Sequence, residues 1–260
     1  MSLPCVPEGV PKEYTIHPQV MRLISTPQFA QRTEPWYERR KTLMTASNVA
    51  SALSIPPFDS FRGCPRQHGI EQLVSGSFKG NVATRHGTLH EDSVRDRLCD
   101  IMGEVVLEFG LLVHADVRGD GTGYDWLAAS PDGITLSGRM VEIKCPYRRK
   151  IVPGHVPHHY MPQVQTQLEV ADLDSCYFCQ WQPAHLNPEG VEIFDIVLIE
   201  RDKLWFEKHK DAMLAFWIDL MSARKAFVPP PPPACLIVDS LYPEEAADDN
   251  KLFLSDDDDD

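Results

Sequence analysis

Five consecutive prolines, Pro229 to Pro233, set the outer limit of what this chain can fold into. Proline has no backbone N–H and holds φ at about −65°, so a run of five continues neither a helix nor a sheet interior and extends as polyproline. A packed core must therefore form from the 228 residues before it. That length suits one sizeable domain, and 43% hydrophobic residues suffice to fill it. Beyond the prolines, Asp239, Glu244, Glu245, Asp248, Asp249 and Asp256 to Asp260 stand against Lys251 alone, a net −9. Such a segment has too little apolar surface to order itself and reads as an acidic, unfolded tail. The whole chain carries −13, which leaves about −4 for the body. A mildly acidic body neither argues for nor excludes a polyanionic partner, because bound cations can reverse the local sign.

No apolar run reaches membrane-span length, and "MSLPCVPEGVPKEY" lacks the apolar stretch of a secretion signal. The expectation is an intracellular, soluble protein with no membrane partner. The seven cysteines are scattered and odd in number, as reduced thiols are. Cys176 and Cys179 form a C-x-x-C inside the strand-like "SCYFCQW", where a separation of three puts them on opposite faces. They fit core packing better than redox chemistry. Cys64 and His68 resemble half of a zinc site without a second half.

The pattern before the prolines mixes helices and strands, which predicts an α/β domain with a central mixed β-sheet flanked by helices. Residues 1–33 read as an N-terminal extension with a short helix near 18–25. Residues 34–53 read as a helix, a break and a second helix opened by Thr45 or Ser47. Residues 54–69 read as loop and 70–75 as a helical turn. A helix is predicted over 83–103, closed by Gly103, with Val94, Leu98, Ile101 and Met102 buried. Strands follow near 104–115, 125–130 and 139–145, then a helix at 159–172 and strands at 175–182 and 192–200. A last helix spans 202–226 with Leu204, Trp205, Met213, Phe216, Trp217 and Leu220 inward. The domain thus reads as 34–228, followed by a Pro-rich linker and tail over 229–260.

Chemistry concentrates in "SPDGITLSGRMVEIKCP". Alternation along a strand puts Val141 and Ile143 on one face and Glu142 and Lys144 on the other. Asp132, on the Pro-Asp-Gly turn, can approach the same place. Two converging carboxylates, with the backbone carbonyl of Ile143 between Glu142 and Lys144, suit a hard cation such as Mg²⁺ or Mn²⁺. Lys144 beside them can orient a water or neutralise developing charge. A surface hairpin with a solvated ion pair is the alternative reading. The helix over 83–103 weighs against it, because its apolar stripe extended backward lands on Glu91, where a lone carboxylate is costly. Gln163 and Gln167, one turn apart, can donate to a phosphate or a water. Arg39 and Arg40 followed by Thr45 and Ser47 suggest a phosphate pocket at a helix start. Together these point to hydrolysis of a phosphodiester assisted by metal.

The order Ser130-Pro131-Asp132-Gly133 then Glu142-Ile143-Lys144-Cys145-Pro146 resembles the PD-(D/E)XK nuclease core, in the form of the lambda-exonuclease or YqaJ-type viral recombinase family. Trp36 with Arg40, then Thr45-Ala46-Ser47, is similar to that family's N-terminal motif. "GTLHE" with Glu91, "YMPQVQ" with Gln163, and "VLIERD" before the last helix complete five motifs in order across residues 34–225. The resemblance implies a restriction-endonuclease-like core and a metal-dependent exonuclease. Such an enzyme digests linear double-stranded DNA from the 5′ end to 5′-mononucleotides and leaves 3′ single strands for recombination. It further implies catalytic Glu91, Asp132, Glu142 and Lys144, with two Mg²⁺ ions held by Asp132, Glu142, the Ile143 carbonyl and Glu91. A 5′-phosphate pocket of Arg40, Ser47, Ser130 and Gln163 is implied as well. Double-stranded DNA ends, a single-strand annealing protein and a homotrimer are the implied partners, in host nucleus or cytoplasm if the source is viral. An endonuclease on the same core, or a non-catalytic DNA-end-binding protein, are the competing expectations. The prolines, the tail and the irregular segment 54–82 lie outside the family pattern. The cysteines do not match the iron–sulfur branch of the superfamily, which also has tyrosine where Gln167 stands.

Overall fold

A computed structural model describes residues 15–58, 60–76, 80–116 and 123–228. Residues 1–14, the five prolines and the acidic tail lie outside the described residues. In chain order come α1 (Pro18–Ile24), α2 (Glu34–Lys41), β1 (Met44–Thr45), a 3-10 turn at Ala46–Asn48, α3 (Val49–Ala52), α4 (Pro65–Ser75) and α5 (Val82–Met102). Then follow β2 (Val106–Leu107), β3 (Leu112–Val113), β4 (Leu127–Ala129), β5 (Gly133–Thr135), β6 (Met140–Lys144), α6 (Met161–Ala171), β7 (Ser175–Gln182), β8 (Ile193–Glu200) and α7 (Lys203–Ala226).

Two mixed sheets result. The larger has the order β2-β5-β6-β7-β8, with β6 and β7 parallel and the other pairs antiparallel. The smaller, β1-β4-β3, pairs β1 parallel and β3 antiparallel to β4. The α/β architecture expected from the sequence is present. β6 is buried from Met140 to Ile143, as a strand covered on both faces must be. On one face α5 sets Val94 and Leu98 against Val141, Ile143 and Cys179. On the other, α6 and α7 bring Val164, Leu168, Met213 and Phe216 onto Met140, Cys176 and Phe178. Cys176 and Cys179 thus sit in different layers, as their spacing requires. Burial pushes the Cys179 thiol up to about 12, so it is no nucleophile at neutral pH.

The helix ends follow local chemistry. Asn81 and Thr84 form a reciprocal capping box at the start of α5, and Gly103 closes it at φ 63°. Asp202 accepts the Leu204 N–H at 2.9 Å to open α7. Several expectations are corrected. α4 starts at Pro65 instead of near residue 70; proline at a first helical position needs no N–H there. The single strand expected near 104–115 is two, β2 and β3, which belong to different sheets. Ile101 and Leu204 are exposed, and Phe206 takes the buried place at the start of α7. Within the segment before Glu34, α1 is packed into the body. Val20 and Leu23 join the main core, and the Gln19 amide donates to the Ala171 carbonyl at 2.7 Å. Among the described residues, no helix is long and apolar enough to cross a membrane.

Candidate active site

The site forms where β5 stops short and β6 continues. β5 pairs with β6 only at Gly133–Val141 and Ile134–Met140, so the β6 edge is open from Glu142 onward. Asp132, one residue before β5, fills that edge: its Oδ2 accepts the Ile143 N–H at 2.6 Å. Residues on a strand direct their N–H and C=O to the same side. The Ile143 carbonyl therefore also faces the open edge, away from β7. The turn carrying Asp132 is pinned from outside. The Gln31 amide donates to the carbonyls of Phe109 and Pro131, both at 2.8 Å, and an Arg95 N–H reaches the Asp132 carbonyl at 3.4 Å. Gly133 is required here, since a Cβ would meet Val106 Cγ1 at 2.3 Å.

Glu142 points to the α6 face and is 1% exposed. A carboxylate so deep needs several donors. It has three: the Lys144 ammonium and the Gln163 amide, at 2.6 Å, on Oε1, and the Gln167 amide, at 2.8 Å, on Oε2. Burial opposes the charge on Lys144, but Glu142, Asp132 and Tyr160 outweigh it and raise its pKa, so it is an ammonium at any physiological pH. Burial first, then the charge of Glu142, drives Asp132 well above the usual carboxylate range. Burial also raises Glu91, against the pull of Arg32 and Arg95. Glu91 receives the Arg32 guanidinium at 2.6 Å. It shares with Asp132 a cleft of about 410 Å³ whose walls include Arg32, Arg95 and Glu108.

Glu91, Asp132, Glu142 and Lys144 are therefore brought together, as the sequence suggested. Their donors are hard oxygens, and Asp132 is raised by burial first and then by Glu142 and Glu91, although Lys144 pulls the other way. That composition fits Mg²⁺ or Mn²⁺. Among the described residues no three His, Cys, Asp or Glu side chains already close into a metal shell. The ligands would be Asp132, Glu142, the Ile143 carbonyl and water, with Glu91 alongside.

The second constellation lies beyond Ser130. Arg40 stacks over Trp36 at 4.3 Å and points Nη2 toward Thr45 Oγ1 at 3.4 Å and Ser47 Oγ at 3.5 Å. The Trp36 indole N–H donates to Ser130 Oγ at 3.0 Å. Arg40 makes no ion pair among the described residues, and burial lowers its pKa. A half-buried guanidinium among hydroxyls, without a carboxylate, is a site prepared for an anion. Arg40, Ser47 and Ser130 are thus assembled. Gln163 departs from the expectation: its amide is spent on Glu142, not on this pocket. Sequence reasoning missed Gln31, Arg32 and Arg95, because each acts across the fold on a backbone or carboxylate far away in sequence. It weighed Gln167 for a phosphate or a water, whereas the structure gives it Glu142.

Comparison with known proteins follows this geometry. The YqaJ-like viral recombinase domain matches residues 35–174, more than half of the chain. An uncharacterized protein of Acanthamoeba polyphaga mimivirus is 32% identical over 177 residues, which are 59% of this chain and 29% of that protein. A protein of African swine fever virus is 30% identical over 170 residues, 54% of this chain and 46% of the other. The match thus spans less than half of either viral relative. The crystal structure of an alkaline exonuclease from Laribacter hongkongensis superposes with TM-score 0.58 and 27% identity, covering 75% of this chain and 95% of that one. The same enzyme in complex with dAMP matches with TM-score 0.58 and 25% identity. On the domain match and the shared fold, the chain belongs to the YqaJ-like viral recombinase family.

Proposed function

We propose that the protein is a metal-dependent nuclease acting on the ends of linear double-stranded DNA. In this reading it removes 5′-mononucleotides in the 5′→3′ direction and leaves 3′ single strands. The observation that carries it is the convergence of Asp132 and Glu142 on Lys144, with Glu91 in the cleft beside Asp132, next to an anion pocket built on Arg40. The similarity to an alkaline exonuclease supports the same reading. Bound divalent cations would polarise the scissile phosphodiester and lower the pKa of a bound water. Asp132 and Glu142 present their oxygens to such a cation. The three donors on Glu142 fix its rotamer, so that its position does not depend on the ion. Lys144, kept charged by both carboxylates, holds the attacking water by hydrogen bond and offsets charge growing on the phosphate. Arg40 and Ser47 hold a terminal 5′-phosphate, which places the first phosphodiester at the Asp132 turn. A preference for chain ends would follow, because an internal phosphate brings a second nucleotide into the Arg40 pocket. A trimeric assembly and a single-strand annealing partner belong to the same proposal.

The test is nucleotide release from linear duplex DNA with 5′-phosphate or 5′-hydroxyl ends, with and without Mg²⁺, beside a circular control. The expected result is Mg²⁺-dependent digestion of linear DNA alone, faster with 5′-phosphate and lost in Lys144→Ala. Arg40→Gln should shrink the 5′-phosphate preference by about tenfold or more, since a charge-assisted contact contributes roughly 1.5–3 kcal/mol. Cutting of the circle would indicate an endonuclease. No metal-dependent cutting would leave a DNA-end-binding protein.

A further inference from the structure

We propose that the groove on the Lys144 side of the site, together with an aromatic platform at its outer edge, is a binding site for single-stranded DNA. The proposal rests on the nuclease reading above but concerns a different surface. The groove holds about 1160 Å³ between residues 55–58, Ser60 and Arg62, the start of α5 and the 146–160 segment. Its walls include Arg62, Arg148, Arg149 and Lys150, and no acidic residue among those described. On a chain of net −13 this is a marked local excess of positive charge. Its inner end is Tyr160, whose ring lies 5.1 Å from the Lys144 ammonium and 5.7 Å from the Arg149 guanidinium. The groove therefore ends at a ring that contacts the candidate catalytic lysine. Lys150 pairs with Glu189 at 2.8 Å, but both side chains are more than half exposed, so a phosphate can displace that carboxylate.

At the outer edge Tyr147 links the groove to a cluster of rings. His86 lies 5.5 Å from Tyr147, 4.6 Å from His90 and, stacked, 6.2 Å from Trp181; His90 lies 4.8 Å from Trp181. The Trp181 indole N–H is anchored on Glu192 at 2.7 Å, which fixes the ring plane. His86 Nε2 is shielded from solvent and has no hydrogen-bond partner among the described residues. A basic track with fixed aromatic faces fits a strand with unpaired bases: phosphates along the cations, bases against the rings. A duplex keeps its bases stacked on each other and offers such rings nothing.

The experiment uses the full chain in EDTA, so that cleavage does not intervene. Anisotropy is followed with a labelled oligo-dT and with a blunt duplex of the same length, together with intrinsic tryptophan fluorescence. Oligo-dT should quench fluorescence. Trp181→Leu should weaken oligo-dT binding by about five- to hundredfold, the range of one lost stacking contact. Trp181→Phe should keep the affinity and lose the quench, which a merely structural role for Trp181 would not produce. Tyr147→Ala should weaken oligo-dT binding as well, and the Arg149→Ala, Lys150→Ala pair should flatten its salt dependence. Equal oligo-dT affinity in Trp181→Leu and Tyr147→Ala, or the same losses with duplex, would overturn the proposal. Trp181-dependent oligo-dT binding by a protein that never cuts DNA would remove the nuclease reading and leave this site standing.

Discussion

Asp132 is the residue where function and stability pull in opposite directions. Its carboxyl sits well above the ordinary range in the folded chain, because burial and Glu142 disfavour its charge. A carboxyl whose folded pKa is raised contributes stability that is full below its unfolded pKa and is lost as pH rises through the folded one. The metal-free protein should therefore lose stability from about pH 4 upward through that raised pKa. Asp132→Asn keeps the acceptor for the Ile143 N–H and removes the charge. In EDTA at pH 8 it should raise Tm by about 2–4 °C, on the order of 1 kcal/mol, while DNA cleavage disappears. Thermal melts against pH, with and without Mg²⁺, check both halves. Mg²⁺ should stabilise the natural chain more at pH 8 than at pH 5, since it binds the ionised carboxylates. An Asn variant no more stable than the natural chain in EDTA would show that the charge is already neutralised.

Elements were legible where their period ran long enough to be counted. α5 shows its buried stripe at Val94 and Leu98, and the prediction failed by part of a turn at Ile101, which faces solvent. Leu98→Ala should then cost about 2–5 kcal/mol in denaturant unfolding, whereas Ile101→Ala should stay within about 0.5 kcal/mol; equal losses would contradict the packing described. β1, β2 and β3 have two residues each, too few for alternation to register. Sequence could place Glu142 and Lys144 on one face because strand parity is local. It could not place Gln31 on Pro131, because that bond joins residues 100 positions apart. Glu91 was found because a carboxylate in an apolar stripe is an anomaly, whereas the opposing Arg32 stands in a segment without periodicity.

At the scale of the whole molecule, net charge and local charge have opposite signs. The cations of the groove and of Arg40 belong to a body near −4, with −9 more beyond the prolines. Ending the chain at Val228 should strengthen DNA association at about 50 mM salt and make little difference at about 300 mM, because long-range repulsion is screened within a Debye length. Anisotropy titrations across that range decide it. A gain that persists at high salt would point to a specific contact of the tail in place of general repulsion.

Ser130 and Asp132 are two residues apart on one pinned turn. Trp36 holds the first by its indole N–H, and the Ile143 N–H holds the second. In the proposed nuclease, end recognition and bond cleavage would therefore be mounted on the same stiff fitting. Natural variation or engineering that seeks a different terminus is confined to the Arg40 side of the pocket. A change made at the turn itself would shift the selectivity and the hydrolytic step as one.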